Sequence, residues 1–277
     1  MSATDDYRAA YPEQLWEVPA FTSDILGART SRYCAAVFVI NEGERVRKQL
    51  ATMQSSQFGI DIIVADGGST DGSLDLDYLR QHGVRALLTK TGPGKLSAQM
   101  RMAIAWSMLE GYEGVIVIDG NDKDDVSAIP DFVRLLDEGY DHVQGSRFIP
   151  GGRAINTPLA RLLALKLLHA PLISLASRRR HTDTTNGFRA YSARLLLDRE
   201  IAVFRGIFNT YELHYHLAIE SARLSRFRTI ETPVTRTYPA SGRIPTKISL
   251  IRGNSHVFAV LVRAALGKYR YSLRKHP

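Results

Sequence analysis

From Tyr33 onward, short apolar and β-branched runs alternate with longer amphipathic ones. "YCAAVFVI", "IDIIVADGG", "VRALLTK" and "GVIVIDG" predict strands, and "NEGERVRKQLATMQSS", "STDGSLDLDYLRQHG" and "PGKLSAQMRMAIAWSMLEGY" between them predict helices. Strands that are apolar at nearly every position are buried on both faces, and their alternation with helices implies βαβ crossovers. The expected fold class is therefore α/β, with a mostly parallel central sheet and helices on both faces. Beyond Ile129 the rhythm loosens. A helix "PDFVRLLDEG" leads to a strand "YDHVQGSRF", the Gly-rich "IPGGRAINTP", a Leu-rich helix and the polar loop "RRRHTDTTNGFRAYS". A helix around "NTYELHYHLAIESAR", a strand "RTIETPVTR" and a basic helical segment follow. Without internal repeats or low-complexity tracts, one continuous domain is expected over 33–247, in halves 33–125 and 126–247. Residues 1–32 read as a polar lead-in and 248–277 as a basic amphipathic C-terminal segment.

With 277 residues, 44% of them hydrophobic, the chain can bury a sizeable core. Its one cysteine, Cys34, lies within an apolar run, which excludes a disulfide framework and a Cys-based metal site. A net charge of +8 points to anionic partners: nucleic acid, a phospholipid surface or a phosphorylated substrate. The N-terminus has neither a basic start nor an apolar core, so a non-secreted chain is expected. No window reaches the roughly 18 uninterrupted apolar residues of a spanning helix. Arg161, Lys166 and His169 interrupt one candidate, and Arg252, His256 and Arg263 the other. Projected as a helix, 248–265 places these last three within one arc, with Leu250, Ile251, Val257, Phe258, Leu261 and Val262 largely opposite. Together with the basic tail "KYRYSLRKHP", that reads either as a helix lying on an anionic membrane or as one packed on its own domain with a solvated basic side, and "TPLARLLALKLLHAPLISLAS" poses the same choice.

Three predicted strands end in polar tips: Asn41 and Glu42, then Asp66, then Asp119. In a parallel sheet these tips lie along one edge, where open α/β sheets bind ligands. Hard oxygen donors in such a cluster suit Mg²⁺ or Mn²⁺, held by one or two carboxylates together with substrate phosphates. Asp124 and Asp125 read differently, as solvated acids favoured by the dipole of the following helix. No Gly-x-Gly-x-x-Gly follows the first strand, Lys95 lacks Walker spacing, and "NEGERVRK" is not the Gly-rich loop of a nucleotidyltransferase.

Taken in order, "VFVINEGE", "IIVADGGSTDGS", "GPGKLSAQMRMAI", "VIVIDGNDKDD", "VQGSRF" and "DTTNGFRAYS" resemble the family 2 glycosyltransferases of GT-A fold, in their dolichol-phosphate mannose synthase-like branch. The resemblance runs from about Tyr33 to about Thr237. It implies transfer of a sugar, with inversion, from a nucleoside-diphosphate sugar to polyprenyl phosphate, assisted by Mg²⁺ or Mn²⁺. The alternatives are transfer to a hydroxyl of a growing cell-surface glycan, or a non-catalytic nucleotide-sugar-binding module. It places the chain in the cytoplasm, peripherally on the inner face of the membrane, with no nucleic-acid partner.

Carried over residue by residue, the resemblance assigns donor binding to Asn41, Glu42, Asp66, Lys95 and Asp119. It assigns phosphate or acceptor binding to Arg147, Arg153 and Arg189, whose guanidinium groups match phosphate oxygens in pairs. The catalytic candidates are Asp119, Arg147 and Asp183, with Asp183 a general base if the acceptor is a hydroxyl. The chain departs from the pattern twice. Gly67 replaces an Asp of the usual Asp-Asp-Gly-Ser, and Asn121 replaces the second Asp of the metal motif Asp-x-Asp. Either Asn121 or Asp122 then completes a metal site begun by Asp119.

Overall fold

Two short strands buried at every position, β2 (Tyr33–Val39) and β3 (Asp61–Asp66), form the middle of the sheet. Only a parallel strand covered on both faces tolerates such a sequence. The computed structural model describes residues 3–240 and 252–271, with side chains placed for 6–240 and 255–271. In chain order, α1 (Ala3–Ala10) and β1 (Phe21–Ile25) precede β2. Helix α2 (Glu44–Ser56) leads to β3, and α3 (Leu76–Gln81), β4 (Val84–Lys90), α4 (Leu96–Leu109) and β5 (Gly114–Asp119) complete the first half. The second half contains α5 (Ile129–Asp137), β6 (His142–Ser146), β7 (Arg153–Ile155), α6 (Leu159–Ala164) and α7 (Ala170–Ser177). It continues with β8 (Arg189–Ser192), α8 (Ala193–Leu196), α9 (Glu212–Arg223), β9 (Thr229–Pro233), β10 (Thr235–Thr237) and α10 (Arg252–Ala265).

The main sheet has the order β1-β4-β3-β2-β5-β8-β6-β9, and β7 and β10 form a separate parallel ribbon. Strands β4, β3, β2 and β5 are mutually parallel, whereas β8 runs antiparallel between β5 and β6, and β6 pairs in parallel with β9. The α/β class and the mostly parallel sheet hold. Helix α4 is buried from Ser97 to Met108 because it lies between the sheet and α9. That position explains why its sequence is apolar all round.

Residues 1–32 are not a mere lead-in. β1 adds an antiparallel edge to β4, with Phe21 opposite Lys90 and Ile25 opposite Ala86. Upstream of it, Trp16 stacks on Phe204 with 4.1 Å between ring centroids, and Tyr11 is buried beside them. The predicted helix beginning at Ser69 is shorter than its pattern. Asp75 caps α3 by accepting a hydrogen bond from the Tyr78 amide at 2.9 Å, while Ser69 and Thr70 serve the loop before it.

Candidate active site

The register of the parallel strands places two of the expected carboxylates on either side of β2. Asp66 lies opposite Val39 and Asp119 opposite Phe38, so the tips of β3 and β5 flank the end of β2. Hydrogen bonds across the loops hold this edge. The Asn41 amide donates to Ser69 Oγ at 2.9 Å, the Thr70 amide to Asn41 Oδ1 at 2.8 Å, and the Gly43 amide to Asp71 Oδ2 at 2.8 Å. Asp66 is buried and accepts from the Ser69 amide and hydroxyl, so it shapes the loop. Glu42 pairs with Arg45 at 2.6 Å, and Lys95 is exposed at the start of α4. A β-carbon at Gly67 would lie 3.3 Å from both Gln99 Oε1 and Ile40 Cβ. Gln99 is fixed there by donating to the carbonyls of Val39 and Ala65. A side chain at Gly67 would thus crowd Gln99 and Ile40 by a few tenths of an ångström.

At the tip of β5 the structure adds a residue that the sequence reading did not single out. Arg236, on β10, donates to Asp124 and, at 3.1 Å, to Asp119 Oδ2. Asp124 is thus not a solvated acid. Its side chain is fully buried, and burial pushes its carboxyl up to about 6, against the pull of Arg236. Asp125 is exposed and accepts from the Ser127 amide, as expected of an acid at a helix start. Lys123 is buried, with Nζ 5.4 Å from the Tyr238 ring centroid. Its ammonium is destabilised by burial and then by Arg236, and is supported by Asp119 and Glu42. Arg45, Asn121, Lys123, Asn156, Thr237 and Tyr238 help to line a cavity of about 390 Å³.

Asp122 is not the better partner for Asp119. Its backbone takes a positive φ of 53°, its amide donates to Gln49 Oε1, and its carboxylate pairs with Lys48 at 2.6 Å. Asn121, by contrast, has a buried Oδ1 with no hydrogen-bond partner, and its Nδ2 is 3.4 Å from Asp119 Oδ2. No group of three acidic, His or Cys side chains converges as a metal site among the described residues. Asp119, with the Asn121 amide beside it, offers part of a hard-cation site whose other ligands would come from a diphosphate and water.

The three predicted arginines separate. Arg147 forms a fork with Asp183, Nε to Oδ2 at 2.6 Å and Nη2 to Oδ1 at 2.9 Å, and both side chains are buried. Asp183 is held here as the buried partner of Arg147, and a base at this position is expected only for a hydroxyl acceptor. Arg189 is corrected: it donates to the carbonyls of Asn186, His214 and Thr184, each at 2.9 Å, and is consumed by the loop it supports. Of the three, Arg153 alone is exposed, in register with Thr235 and on the opposite face of the ribbon from Arg236. Removing one partner of a buried ion pair costs about 3–5 kcal/mol. Arg147→Met is accordingly expected to lower the thermal unfolding midpoint by about 10 °C, with Arg147→Lys intermediate, as scanning calorimetry would show. Unchanged midpoints with reduced turnover would instead put Arg147 in contact with substrate.

The two apolar segments pack differently. Val260, Leu261 and Ala264 of α10 are buried against Ile173 of α7 and Tyr215, Ala218 and Ile219 of α9. His256 Nε2 is 2.9 Å from Thr210 Oγ1. Helix α10 therefore uses its apolar stripe on its own domain. Leu250, Ile251, Arg274 and Lys275 of the predicted membrane segment lie outside the described residues, as does the side chain of Arg252. Helices α6 and α7, joined through a π-helical turn at Leu165–His169, instead expose Leu159, Leu163, Leu167, Leu168 and Leu175. By length and composition the continuous helix Leu159–Ser177 could cross a bilayer, contrary to the sequence expectation, and only 17% of it is buried.

No protein-family model matches the chain. It is 29% identical over 203 residues to the undecaprenyl-phosphate mannosyltransferase of Micrococcus luteus, covering 70% of this chain and 79% of that one. It is 26% identical over 217 residues to the polyprenol monophosphomannose synthase of Mycolicibacterium smegmatis, covering 75% and 78% respectively. The glycosyltransferase AglJ of Haloferax volcanii is 26% identical over 234 residues, covering 84% and 71%. Glucosyl-3-phosphoglycerate synthase from Mycobacterium tuberculosis, solved with Mn²⁺, UDP and phosphoglyceric acid, superposes with a TM-score of 0.59 at 20% identity, over 86% of this chain and 79% of that one. The chain is a glycosyltransferase of the GT-A fold. The same synthase has been solved with Mg²⁺ and UDP, and aligns over 96% of this glycosyltransferase with a TM-score of 0.57 and 19% identity. The names of the sequence relatives agree with the dolichol-phosphate mannose synthase-like resemblance.

Proposed function

We propose that this glycosyltransferase moves a sugar from a nucleoside-diphosphate sugar to polyprenyl phosphate at a membrane surface. The observation that carries this reading is the exposed leucine helix, which reaches Tyr238 of the polar cavity through Arg161. Arg161 of α6 donates to the Tyr238 hydroxyl at 3.1 Å, so one element borders both the site and the apolar surface. A long-chain lipid needs that juxtaposition, because its phosphate must reach the carboxylate edge while its chain stays in the bilayer.

In this reading the base and ribose lie against Asn41, Glu42 and Asp66, whose oxygens accept from NH and hydroxyl groups. Lys95 approaches the nucleotide from the start of α4. Asp119 and Asn121 Oδ1 would hold Mg²⁺ or Mn²⁺, which when bound offsets negative charge on the diphosphate. An acceptor phosphate oxygen forms the new bond to the anomeric carbon from the side opposite the leaving group. The bond to the diphosphate breaks, and the nucleoside diphosphate departs with the electron pair. The acceptor is already ionised, so no general base is required, in agreement with the burial of Asp183 beneath Arg147.

The test is a panel of labelled UDP- and GDP-sugars incubated with polyprenyl phosphate in vesicles and a divalent cation. Label should move into the lipid extract and be released by mild acid, as a glycosyl phosphate is. Label in an acid-stable glycan would favour the hydroxyl acceptor, and no transfer from any donor would favour a binding module.

A further inference from the structure

We propose that Lys123 is a donor-binding cation, whose ammonium meets the diphosphate of the nucleotide sugar and supplies charge neutralisation that needs no divalent ion. The proposal rests on the nucleotide-sugar reading above and adds a residue to it. Lys123 stands two positions after Asn121 and lines the same cavity as Asn121 and Arg45. Its backbone is fixed from the opposite side: the Thr237 amide donates to the Lys123 carbonyl at 2.8 Å, and Asp124 forms an isolated β-bridge with Arg236. The ammonium is thus carried by a segment tied to the ribbon, not by a free loop.

Burying a lysine is costly, and Asp119 and Glu42 offset part of that cost. An incoming diphosphate adds to that offset, because the lining of the cavity presents the cations Arg45 and Lys123 to it. The phenol of Tyr238 reports the same field. Burial raises it, yet Arg236, Arg161 and Arg147 together bring it below its ordinary value. Two features of this chain then act in one direction. Asn121 removes a carboxylate from beside the diphosphate, and Lys123 adds an ammonium, so the site depends less on a bound cation than an Asp-x-Asp pair would.

Calorimetric titration of the full chain with UDP and with GDP, each in Mn²⁺ and in EDTA, tests this. Wild type should bind one of the two with Mn²⁺ and retain binding in EDTA, weakened by about tenfold or less. A charge-assisted hydrogen bond is worth about 1.5–3 kcal/mol, or roughly 10- to 100-fold in affinity. Lys123→Met should lose that factor in EDTA and less of it in Mn²⁺, and Lys123→Arg should recover part. Binding by Lys123→Met in Mn²⁺ shows that the variant is folded. Wild-type binding abolished by EDTA, or equal affinities for wild type and Lys123→Met in EDTA, would overturn the role of Lys123 alone. If neither diphosphate binds wild type even with Mn²⁺, the nucleotide-sugar reading fails first.

Discussion

Asp119→Ala should lower glycosyl transfer by about 10²- to 10³-fold, the loss that follows removal of one preorganised electrostatic group at a reacting centre. Asp119 ends β5 opposite Phe38, where the parallel register holds its carboxylate at the strand edge whether or not substrate is bound. The side chain is partly exposed, and its packing contribution is small. Arg236 keeps Asp124 as a partner after the substitution, so no buried guanidinium is left alone. The variant should therefore unfold within a few degrees of wild type, and turnover and calorimetry on the same preparation separate chemistry from folding. Substantial turnover by a folded Asp119→Ala protein would remove the residue from the site. Asn121→Asp is the companion. With a carboxylate in place of the unpartnered Oδ1, the divalent-cation concentration needed for half-maximal transfer should fall, and an unchanged requirement would mean that Asn121 faces away from the cation.

The parts of the fold visible beforehand were those in which one strand's residues decide its environment. β2, β3, β4 and β5 are continuous apolar runs, and continuity is what burial on both faces demands. β1 escaped because it is an exposed edge strand with a polar composition, stabilised by its ladder to β4 rather than by its side chains. Asp119 could be found because an acid at the end of a buried run has few structural explanations. Arg236 could not, since its partners lie 117 and 112 residues away and nothing local distinguishes it from another strand arginine. The same limitation turned Arg189 into an apparent phosphate ligand. Its position in "NGFR" matched, but the three carbonyls that occupy it come together only when the 184–186 loop meets α9. Nothing local marks Asp124 either, since its burial depends on Arg236, 112 residues away.

The joint substitution Leu167→Glu and Leu175→Glu is expected to abolish most membrane binding while leaving the donor site intact. These leucines are 68% and 79% exposed, so exchanging them disturbs no packing on the domain. Burying a leucine side chain is worth about 1.5–3 kcal/mol. Losing two such contributions, even at half that value each, weakens partition by about 10- to 100-fold. Arg178, Arg179 and Arg180 are exposed at the end of α7 and add attraction to an anionic surface, which salt should screen. Co-sedimentation with anionic vesicles should accordingly fall with the double substitution and, separately, with rising salt. Transfer to a long-chain polyprenyl phosphate in vesicles should fall in parallel, while nucleoside-diphosphate binding in solution stays at the wild-type value. Vesicle binding that survives the double substitution would place the membrane contact elsewhere, with the basic C-terminal tail the first place to look, because α10 itself already spends its apolar stripe against α7 and α9.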